Sequence, residues 1–218
     1  MTRPLLVAHR ANTREQLEEA ATCGADLVEL DVAPGLVVAH DPGVAGMPLG
    51  EALDLLQEHR VGMHVDVKLP GYEREVVAEI DARGLRSRVL VSTAYAVVGR
   101  RVHALAPELP VAIGYPRDRY GISRLSWPGA VTRPGAAALR AAMPVRVPLL
   151  LRSAHADVLA LHHTLCSRAA IETAHRLGAP VLVWTVDDPA EAARFVALGA
   201  DGIVSDEPKT VMQGLAAE

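Results

Sequence analysis

Aromatic residues are scarce in this chain, and their scarcity limits the kind of core that it can build. Only 3% of the 218 residues are Phe, Trp or Tyr, although 50% of the residues are hydrophobic. The core must therefore consist mainly of Ala, Val and Leu side chains. Such a core is typical of folds in which strands and helices alternate around a buried parallel sheet.

The sequence also lacks basic runs, long apolar segments and a rich supply of cysteine. A net charge of −4 without any basic run argues against nucleic-acid binding. No stretch approaches the ~20 apolar residues that span a bilayer, and the apolar run after Pro4 is too short for a signal peptide. Cys23 and Cys166 fall in predicted helices, and we interpret them as small buried residues in a reducing compartment. We therefore expect a soluble cytoplasmic protein with no membrane span.

What the sequence does contain is a regular alternation of apolar runs with helical segments. About eight strand-then-helix units follow one another, and eight such units close into a barrel. No Gly-x-Gly-x-x-Gly follows the first strand, so a dinucleotide-binding sheet is less favoured. No linker or domain boundary is visible, and we predict an α/β protein with one (β/α)8 TIM-barrel domain over residues 1–218. The predicted barrel strands are Leu5–His9, Ala25–Val32, Gly62–Lys68, Val89–Val91, Val111–Tyr115, Ala156–Leu161, Val181–Val186 and Gly202–Ser205.

The segment Pro116–Arg152 interrupts this regularity. It contains five prolines, which disfavour continuous helices and strands. We expect irregular structure there, with one short helix near Ala136–Ala142.

Two carboxylates lie two residues apart in the second predicted strand. Side chains at positions i and i+2 of a strand share a face, so Glu29 and Asp31 project together. Such a pair is often only a solvated strand end, but neighbouring carboxylates repel each other unless a cation lies between them. His40 ends the next apolar run and places an imidazole one strand away. This combination has the parts for metal-assisted acid–base chemistry.

Polar residues also follow the other predicted strands, where a barrel of this kind has its active site. Three acids among them suit a divalent cation, and oxygen-only ligands favour Mg²⁺ or Ca²⁺ over zinc. An Arg and a Lys beside a metal suit a phosphate oxygen, and two histidines can serve as base and acid. The residues expected at this rim are His9, Arg10, Glu29, Asp31, His40, Asp41, Asp66, Lys68, Trp184, Thr185, Ser205 and Asp206.

Six short motifs fall in an order that resembles the glycerophosphodiester phosphodiesterase family over nearly the whole chain. They are Ala8-His9-Arg10, Val28 to Val32, Val38 to Pro42, Val65 to Lys68, Val183 to Val186 and Asp201 to Pro208. The resemblance implies a TIM barrel of lipid metabolism that hydrolyses a small-molecule glycerophosphodiester to glycerol 3-phosphate and an alcohol. By position, it implies His9 and His40 as the acid–base pair, Glu29, Asp31 and Asp66 as ligands of Mg²⁺ or Ca²⁺, Arg10 and Lys68 as phosphate contacts, and Trp184 as a wall of the substrate pocket.

The chain departs from the family pattern in four places. Ala11 replaces the usual Gly, and the usual Pro-Glu-Asn-Thr segment is reduced to Asn12-Thr13. Asp66 replaces the usual third Glu ligand and is one methylene shorter, which is expected to loosen the site or change the preferred ion. The subdomain that commonly follows Pro42 and helps to hold glycerol is absent, so the resemblance implies the metal and phosphate chemistry but not glycerol specificity.

Several polar residues allow more than one interpretation. His163 lines the pocket, or else His162 and His163 form a solvated turn. Asp206 is interpreted as a helix cap or a loop-holding residue. The remaining histidines that match no motif are interpreted as surface or structural, namely His59, His64, His103, His155 and His175.

Two other functions compete with hydrolysis. One is a non-catalytic barrel that binds a phosphate ligand. The other is a sugar-phosphate isomerase or aldolase, which would bind phosphate after the seventh and eighth strands. Asp187-Asp188 and Asp206-Glu207 occupy those positions and would repel phosphate, which disfavours the isomerase.

Overall fold

A computed structural model describes residues 3–117 and 129–216, which form a closed barrel surrounded by helices. Its strands are β1 Leu5–Ala8, β2 Leu27–Ala33, β3 Val37–Val38, β4 Met47–Pro48, β5 Gly62–Val67, β6 Val89–Thr93, β7 Val111–Tyr115, β8 Val158–His162, β9 Val181–Trp184 and β10 Gly202–Ser205. Its helices are α1 Arg14–Thr22, α2 Leu49–Glu58, α3 Glu73–Ala82, α4 Ala96–Leu105, α5 Gly129–Ala154, α6 Arg168–Arg176, α7 Pro189–Leu198 and α8 Pro208–Ala216.

Eight of these strands form the barrel, in the order β1, β10, β9, β8, β7, β6, β5 and β2. All neighbouring pairs are parallel, and a β1–β2 pairing closes the ring. The predicted (β/α)8 barrel is confirmed. Since the strands are parallel, their C-terminal ends gather at one opening, which we call the mouth.

The barrel interior is filled by small and medium aliphatic side chains, as the composition predicts. One inward layer consists of Val7, Leu90, Ala112, Ala160, Leu182 and Val204. Towards the strand starts, Leu27 and Leu182 lie over Gly62 and Gly202, and a Cβ atom on either glycine would collide with these leucines. Burial of each Val or Leu side chain contributes about 1.5–3 kcal/mol, so the barrel needs no aromatic filling.

Helix starts near the mouth are encoded locally. Thr13 caps α1, because its side chain accepts from the Gln16 N–H while the Gln16 side chain accepts from the Thr13 N–H. Asp188 caps α7 by accepting from the Glu191 N–H, and a proline occupies the first turn. These caps fix where the chain leaves the mouth after the first and seventh barrel strands.

The prediction for Pro116–Arg152 is wrong over the described residues. Residues 129–154 form the 26-residue helix α5 instead of a short helix near Ala136–Ala142. Met143, Val147 and Leu151 recur at helical spacing and are buried against the barrel. This burial outweighs the backbone hydrogen bonds that prolines within the helix cannot form. Residues 118–128, which include Pro128, lie outside the described residues.

Two smaller expectations also need correction. The sixth barrel strand begins at Val158 instead of Ala156, because the Ala156 N–H donates to the Leu151 carbonyl and closes α5. Cys166 lies after a 3₁₀ turn, His163–Leu165, and before α6, so it is not helical. It is nevertheless buried, as predicted, and so is Cys23. Within the described parts of the chain, no helix is long and apolar enough to cross a membrane.

Candidate active site at the barrel mouth

Three acidic side chains meet at the mouth on two neighbouring strands. Glu29 and Asp31 lie on β2, Asp66 lies on β5, and Asp31 is directly opposite Asp66 in the strand register. One ligand oxygen from each residue lies within 4.8 Å of the others. Glu29 and Asp31 are almost sealed from solvent, at 3% and 0% exposure. The structure therefore brings together the three residues that the sequence suggests as metal ligands.

Asp31 is held in place by neighbours from two loops. The Asn12 side chain donates to Asp31 Oδ2 at 2.7 Å, and the Asp31 N–H donates to Asn12 Oδ1 at 2.9 Å. His40 Nδ1 lies 3.0 Å from the same Asp31 oxygen. Burial raises the pKa of Asp31, but the hydrogen bond from His40 and the charge of Lys68 lower it more, so the net pKa lies far below its usual range. Asn12 is a structural partner that the sequence did not reveal.

Asp66 and Glu29 have partners of their own. Ser92, on the adjacent strand β6, donates from Oγ to Asp66 Oδ1 at 2.6 Å. The Arg10 backbone N–H donates to Glu29 Oε2 at 2.6 Å. Arg10 has a φ of 57°, which bulky residues rarely adopt, and this conformation aims its N–H at the carboxylate. Each acid is therefore fixed by a donor from outside its own strand.

The Lys68 ammonium lies between two of the acids. Its Nζ forms ion pairs with Asp31 and, at 2.6 Å, with Asp66 Oδ2. Burial lowers the pKa of Lys68, but Asp66, Asp31 and Glu29 outweigh burial and raise it, so the ammonium stays charged. Burial and the charge of Asp31 raise the pKa of Glu29 well above its usual value. Lys68 thus neutralises the acidic cluster only in part, from a half-buried position.

The charges and atom types of this cluster fit a hard divalent cation. With all three carboxylates ionised, as cation binding would require, the single ammonium leaves two negative charges. A divalent ion would balance them, and carboxylate oxygens are the ligands that Mg²⁺ and Ca²⁺ prefer. Glu29, Asp31 and Asp66 therefore form a site that can hold such a metal.

His9 and Asp206 form a hydrogen-bonded pair, with His9 Nδ1 2.7 Å from Asp206 Oδ1. The pairing of β1 with β10 places Ala8 opposite Ser205, so the next residue of each strand lies beside the other. The hydrogen bond from His9 lowers the pKa of Asp206. The expectation that Asp206 caps a helix or holds a loop does not include this contact. In a closed barrel, however, the last strand lies beside the first, so the proximity of His9 and Asp206 could have been predicted.

Both mouth histidines are therefore oriented by a carboxylate. A carboxylate at neutral pH can only accept, so His9 and His40 each carry a proton on Nδ1. Each ring then presents Nε2 as its reactive nitrogen. His40 reaches Asp31 because β3 runs antiparallel to β2, with Val38 opposite Val32, and turns the chain back over the strand end.

The opposite edge of the mouth carries three rings. His162 and Trp184 are register partners on β8 and β9, and their ring centroids lie 4.9 Å apart in an edge-to-face contact. His163 follows at once, and its ring centroid lies 4.3 Å from that of His162. β8 stands four strands from β2 in either direction around the ring, and β9 stands four from β5. We call His9, Glu29, Asp31, His40, Asp66 and Lys68 the charged side of the mouth, and His162, His163 and Trp184 the ring side.

His64 occupies the barrel interior below the charged side. It is opposite Glu29 in the register and two residues before Asp66. It is 4% exposed, and neither ring nitrogen has a hydrogen-bond partner among the residues that the structure describes. Burial is the main reason that the pKa of His64 falls to about 4. A neutral imidazole therefore underlies the acidic cluster.

Comparison with known proteins agrees with this geometry. Residues 62–210, more than half of the chain, match the model of the glycerophosphoryl diester phosphodiesterase family. The chain belongs to this family. It is therefore a phosphoric diester hydrolase, and the predicted family resemblance is confirmed. The match covers residues 62–210 and assigns no role to any single residue, so the roles of all the site residues stay predictions.

Individual relatives are distant in sequence but similar over their full length. A glycerophosphodiester phosphodiesterase from Caldanaerobacter subterraneus subsp. tengcongensis is 24% identical over 258 aligned positions, which cover 95% of this chain and 96% of that protein. A glycerophosphodiester phosphodiesterase structure from Parabacteroides distasonis aligns with a TM-score of 0.76 at 18% identity, over 98% of this chain and 97% of that one. An Oleispira antarctica phosphodiesterase, solved with the product sn-glycerol-3-phosphate, aligns with a TM-score of 0.69 at 18% identity, over 98% and 97% of the two chains.

Proposed function

We propose that this protein hydrolyses glycerophosphodiesters to glycerol 3-phosphate and an alcohol with the help of a divalent cation, Mg²⁺ or Ca²⁺. One observation carries the proposal: three carboxylates converge within 4.8 Å at the mouth, with two carboxylate-oriented imidazoles in the same opening. Family membership supports the reaction class. The product-bound Oleispira antarctica structure supports the substrate class.

The charged side supplies the electrostatics of phosphate binding. Glu29, Asp31 and Asp66 would hold the cation, which when bound would neutralise charge on the phosphate oxygens. Lys68 already lies between Asp31 and Asp66 and adds a fixed positive charge at the same place. Arg10 lies at the edge of the mouth with an exposed side chain and is our second candidate for a phosphate contact.

The two histidines supply proton transfer. One of them takes a proton from the attacking water or from a neighbouring substrate hydroxyl, and the other gives a proton to the alkoxide that leaves when the P–O bond breaks. Asp206 would stabilise the imidazolium form of His9 through the Nδ1 hydrogen bond, and Asp31 would do the same for His40. Both carboxylates also fix the ring orientation, so that Nε2 is the nitrogen that transfers the proton.

The sugar-phosphate isomerase alternative is not retained. Its phosphate site would lie after the seventh and eighth barrel strands, where Asp187 and Asp206 are found. Asp187 accepts hydrogen bonds from Ser205 Oγ and from the Asp206 N–H, both at 2.8 Å. These donors are thus already used to hold acidic residues, and family membership places the chain among hydrolases.

The test replaces each histidine and measures hydrolysis of glycerophosphocholine with Mg²⁺ or Ca²⁺. His9→Gln and His40→Gln should each lower kcat by about 10²–10⁴-fold, the usual contribution of a general acid or base. His59→Gln is the matched control, because His59 is an exposed residue at the end of α2. Unchanged turnover in both mouth variants would refute the assignment.

A further inference from the structure

The hydrogen bonds of His162 fix its tautomer. The Thr164 backbone N–H donates to His162 Nδ1 at 3.3 Å, and Thr164 Oγ1 lies 2.9 Å from the same nitrogen. Because Nδ1 accepts a hydrogen bond, it carries no proton, and the proton of the neutral ring is on Nε2. Burial, together with the neighbouring His163, lowers the pKa of His162 to about 4, which keeps the ring neutral near pH 7. His162 is therefore a fixed Nε2–H donor.

His163 has the opposite tautomer. Its Nδ1 lies 2.7 Å from the Thr185 backbone carbonyl, which can only accept. Nδ1 therefore carries the proton, and Nε2 of the neutral ring is an acceptor. Within the described residues, neither Nε2 atom has a hydrogen-bond partner in the protein, and both side chains are half-buried. Two adjacent imidazoles thus offer one donor and one acceptor.

His162 and Trp184 face the opening of the barrel, and His163 adjoins them through its ring contact with His162. Ala160 belongs to the inward layer of the barrel, and in a strand the residue two positions later points the same way, so His162 faces the opening. Trp184 packs against the same inward layer and meets His162 edge-on. A phosphodiester with its phosphate on β2 and β5 would extend one substituent toward the ring side.

We propose that His162 and His163 bind the hydroxyl groups of the glycerol moiety, with Trp184 as the apolar wall beside them. The inference rests on the proposed function and names the part of the protein that selects the substrate. A hydroxyl group both donates and accepts, so two adjacent hydroxyls can accept from His162 Nε2–H and donate to His163 Nε2. The neutral His162 donor suits an uncharged polyol better than it suits a second charged group.

This subsite would also compensate for the segment that commonly follows Pro42 in the family and that this chain lacks. The chain passes from Pro42 to β4 and α2 within a few residues, so the segment that commonly helps to hold glycerol in the family is absent. Glycerol recognition, under the proposed function, would then rest on groups elsewhere on the mouth. Histidines held by Thr164 and Thr185 are preorganised for this role, because their tautomers are set before the substrate arrives.

The test compares two phosphodiesters that differ in hydroxyl content. Glycerophosphocholine carries the diol, and bis(4-nitrophenyl) phosphate carries none. His162→Phe keeps a ring against Trp184 but removes the donor, and should lower kcat/KM for glycerophosphocholine about tenfold, the effect of losing one neutral hydrogen bond. kcat/KM for the aryl diester should change less than about twofold. His163→Phe should behave in the same way, and His162→Gln, which restores a donor, should recover part of the loss.

Equal losses on both diesters, or no loss on glycerophosphocholine, would overturn the subsite. His59→Phe serves as the matched control for replacing an imidazole by a phenyl ring away from the mouth.

A binding measurement separates the subsite from the reaction. With Mg²⁺ present, calorimetry should show tighter binding of sn-glycerol 3-phosphate than of inorganic phosphate, and His162→Phe should abolish that preference. A wild-type protein that cleaves neither diester would refute the proposed function, but the binding preference would still test the glycerol subsite. Equal affinity of the wild-type protein for sn-glycerol 3-phosphate and inorganic phosphate would overturn the subsite.

Discussion

The two sides of the mouth are built on different principles. On the charged side, nearly every functional group is held by another charged or polar side chain. Asp31, for example, contacts the side chains of three residues, Asn12, His40 and Lys68. On the ring side, His162 and His163 are half-buried, and each hydrogen-bonds to a threonine, His162 to Thr164 and His163 to the Thr185 backbone carbonyl. The charged side is therefore a coupled network, whereas the ring side is a set of separate contacts.

The difference suggests how the mouth divides its work. Charges that are buried together gain strength from the low local dielectric, which bond cleavage at phosphorus requires. Half-buried rings at the opposite edge offer weaker and more selective hydrogen bonds, which suit substrate recognition. We therefore expect large effects when the charged side is altered and graded effects when the ring side is altered.

The largest effect should follow Asp31→Asn. The change removes a proposed metal ligand and the carboxylate partner of both His40 and Lys68. We expect kcat/KM for glycerophosphocholine to fall by about 10³-fold or more, because one change weakens charge neutralisation and proton transfer together. Calorimetric titration with Mg²⁺ should show weakened binding as well. Asp54→Asn, in an exposed pair with Arg83, is the control, and a similar loss in both variants would contradict the comparison.

A smaller but clear effect on stability should follow Lys68→Met. Without the ammonium, the buried Asp31 and the half-buried Asp66 lose their cationic partner, and the free energy of unfolding should drop by about 3 kcal/mol. Saturating Mg²⁺ should recover part of this loss, because ion binding to the folded state stabilises it. Urea unfolding with and without Mg²⁺ measures both values. Lys209→Met, in an exposed pair with Glu19, should change stability by less than about 0.5 kcal/mol; equal losses would argue against a special role for Lys68.

Asp206→Asn tests whether the first histidine depends on its carboxylate. Asp206 is half-exposed, so we expect a milder loss than for a buried partner, about 10–100-fold in kcat with KM nearly unchanged. Steady-state kinetics on glycerophosphocholine separates the two parameters. Glu207→Gln, the exposed neighbouring residue, should be neutral. An increase in KM without a fall in kcat would show that Asp206 acts on binding and not on His9.

The smallest effect concerns the ring side and pH. The pKa of His162 is about 4 in the folded protein and 6.5 when unperturbed, so between these values the unfolded chain binds a proton that the folded chain does not. The contribution of this pKa difference to the free energy of unfolding is fully present above pH 6.5 and is lost as the pH falls toward 4. After allowance for solvent around the ring, the contribution is about 1 kcal/mol.

Urea unfolding of the wild type and His162→Phe at pH 7 and pH 4.5 measures that contribution. The variant should lose less stability on acidification than the wild type. His59→Phe, at an exposed position, should lose as much as the wild type. Identical slopes for wild type and His162→Phe would show that the ring side does not resist protonation.

The barrel was predictable because its signals are local and repeat. Alternating apolar runs and helices gave eight strands, and caps such as Asp188 before Pro189 marked helix starts within a few residues. α5 was missed for the opposite reason. Its prolines are visible locally, whereas the burial of Met143 and Val147 against the barrel exists only after the chain has folded.

The residues of the candidate site likewise include some that the sequence predicts and some that only the folded structure reveals. Glu29 and Asp31 share a face by strand geometry alone, and Asp66 follows the same pattern on the next strand. Asn12 and Ser92 were missed because a single polar residue after or within a strand does not identify its partner. Asp206 lies 197 positions from His9, but the closing of the barrel brings the last strand beside the first. That pairing was implied by the predicted fold and was recoverable without coordinates.

The lysine between the two aspartates matters to the chain before any ion reaches it. A counter-charge that is covalently part of the polypeptide cannot be diluted, exchanged or chelated away. The newly made protein therefore carries part of its own electrostatic compensation into the folding reaction, even in ion-poor surroundings. Under the proposed function, scarcity of divalent ions should accordingly lower activity more than it lowers the folded fraction of the protein.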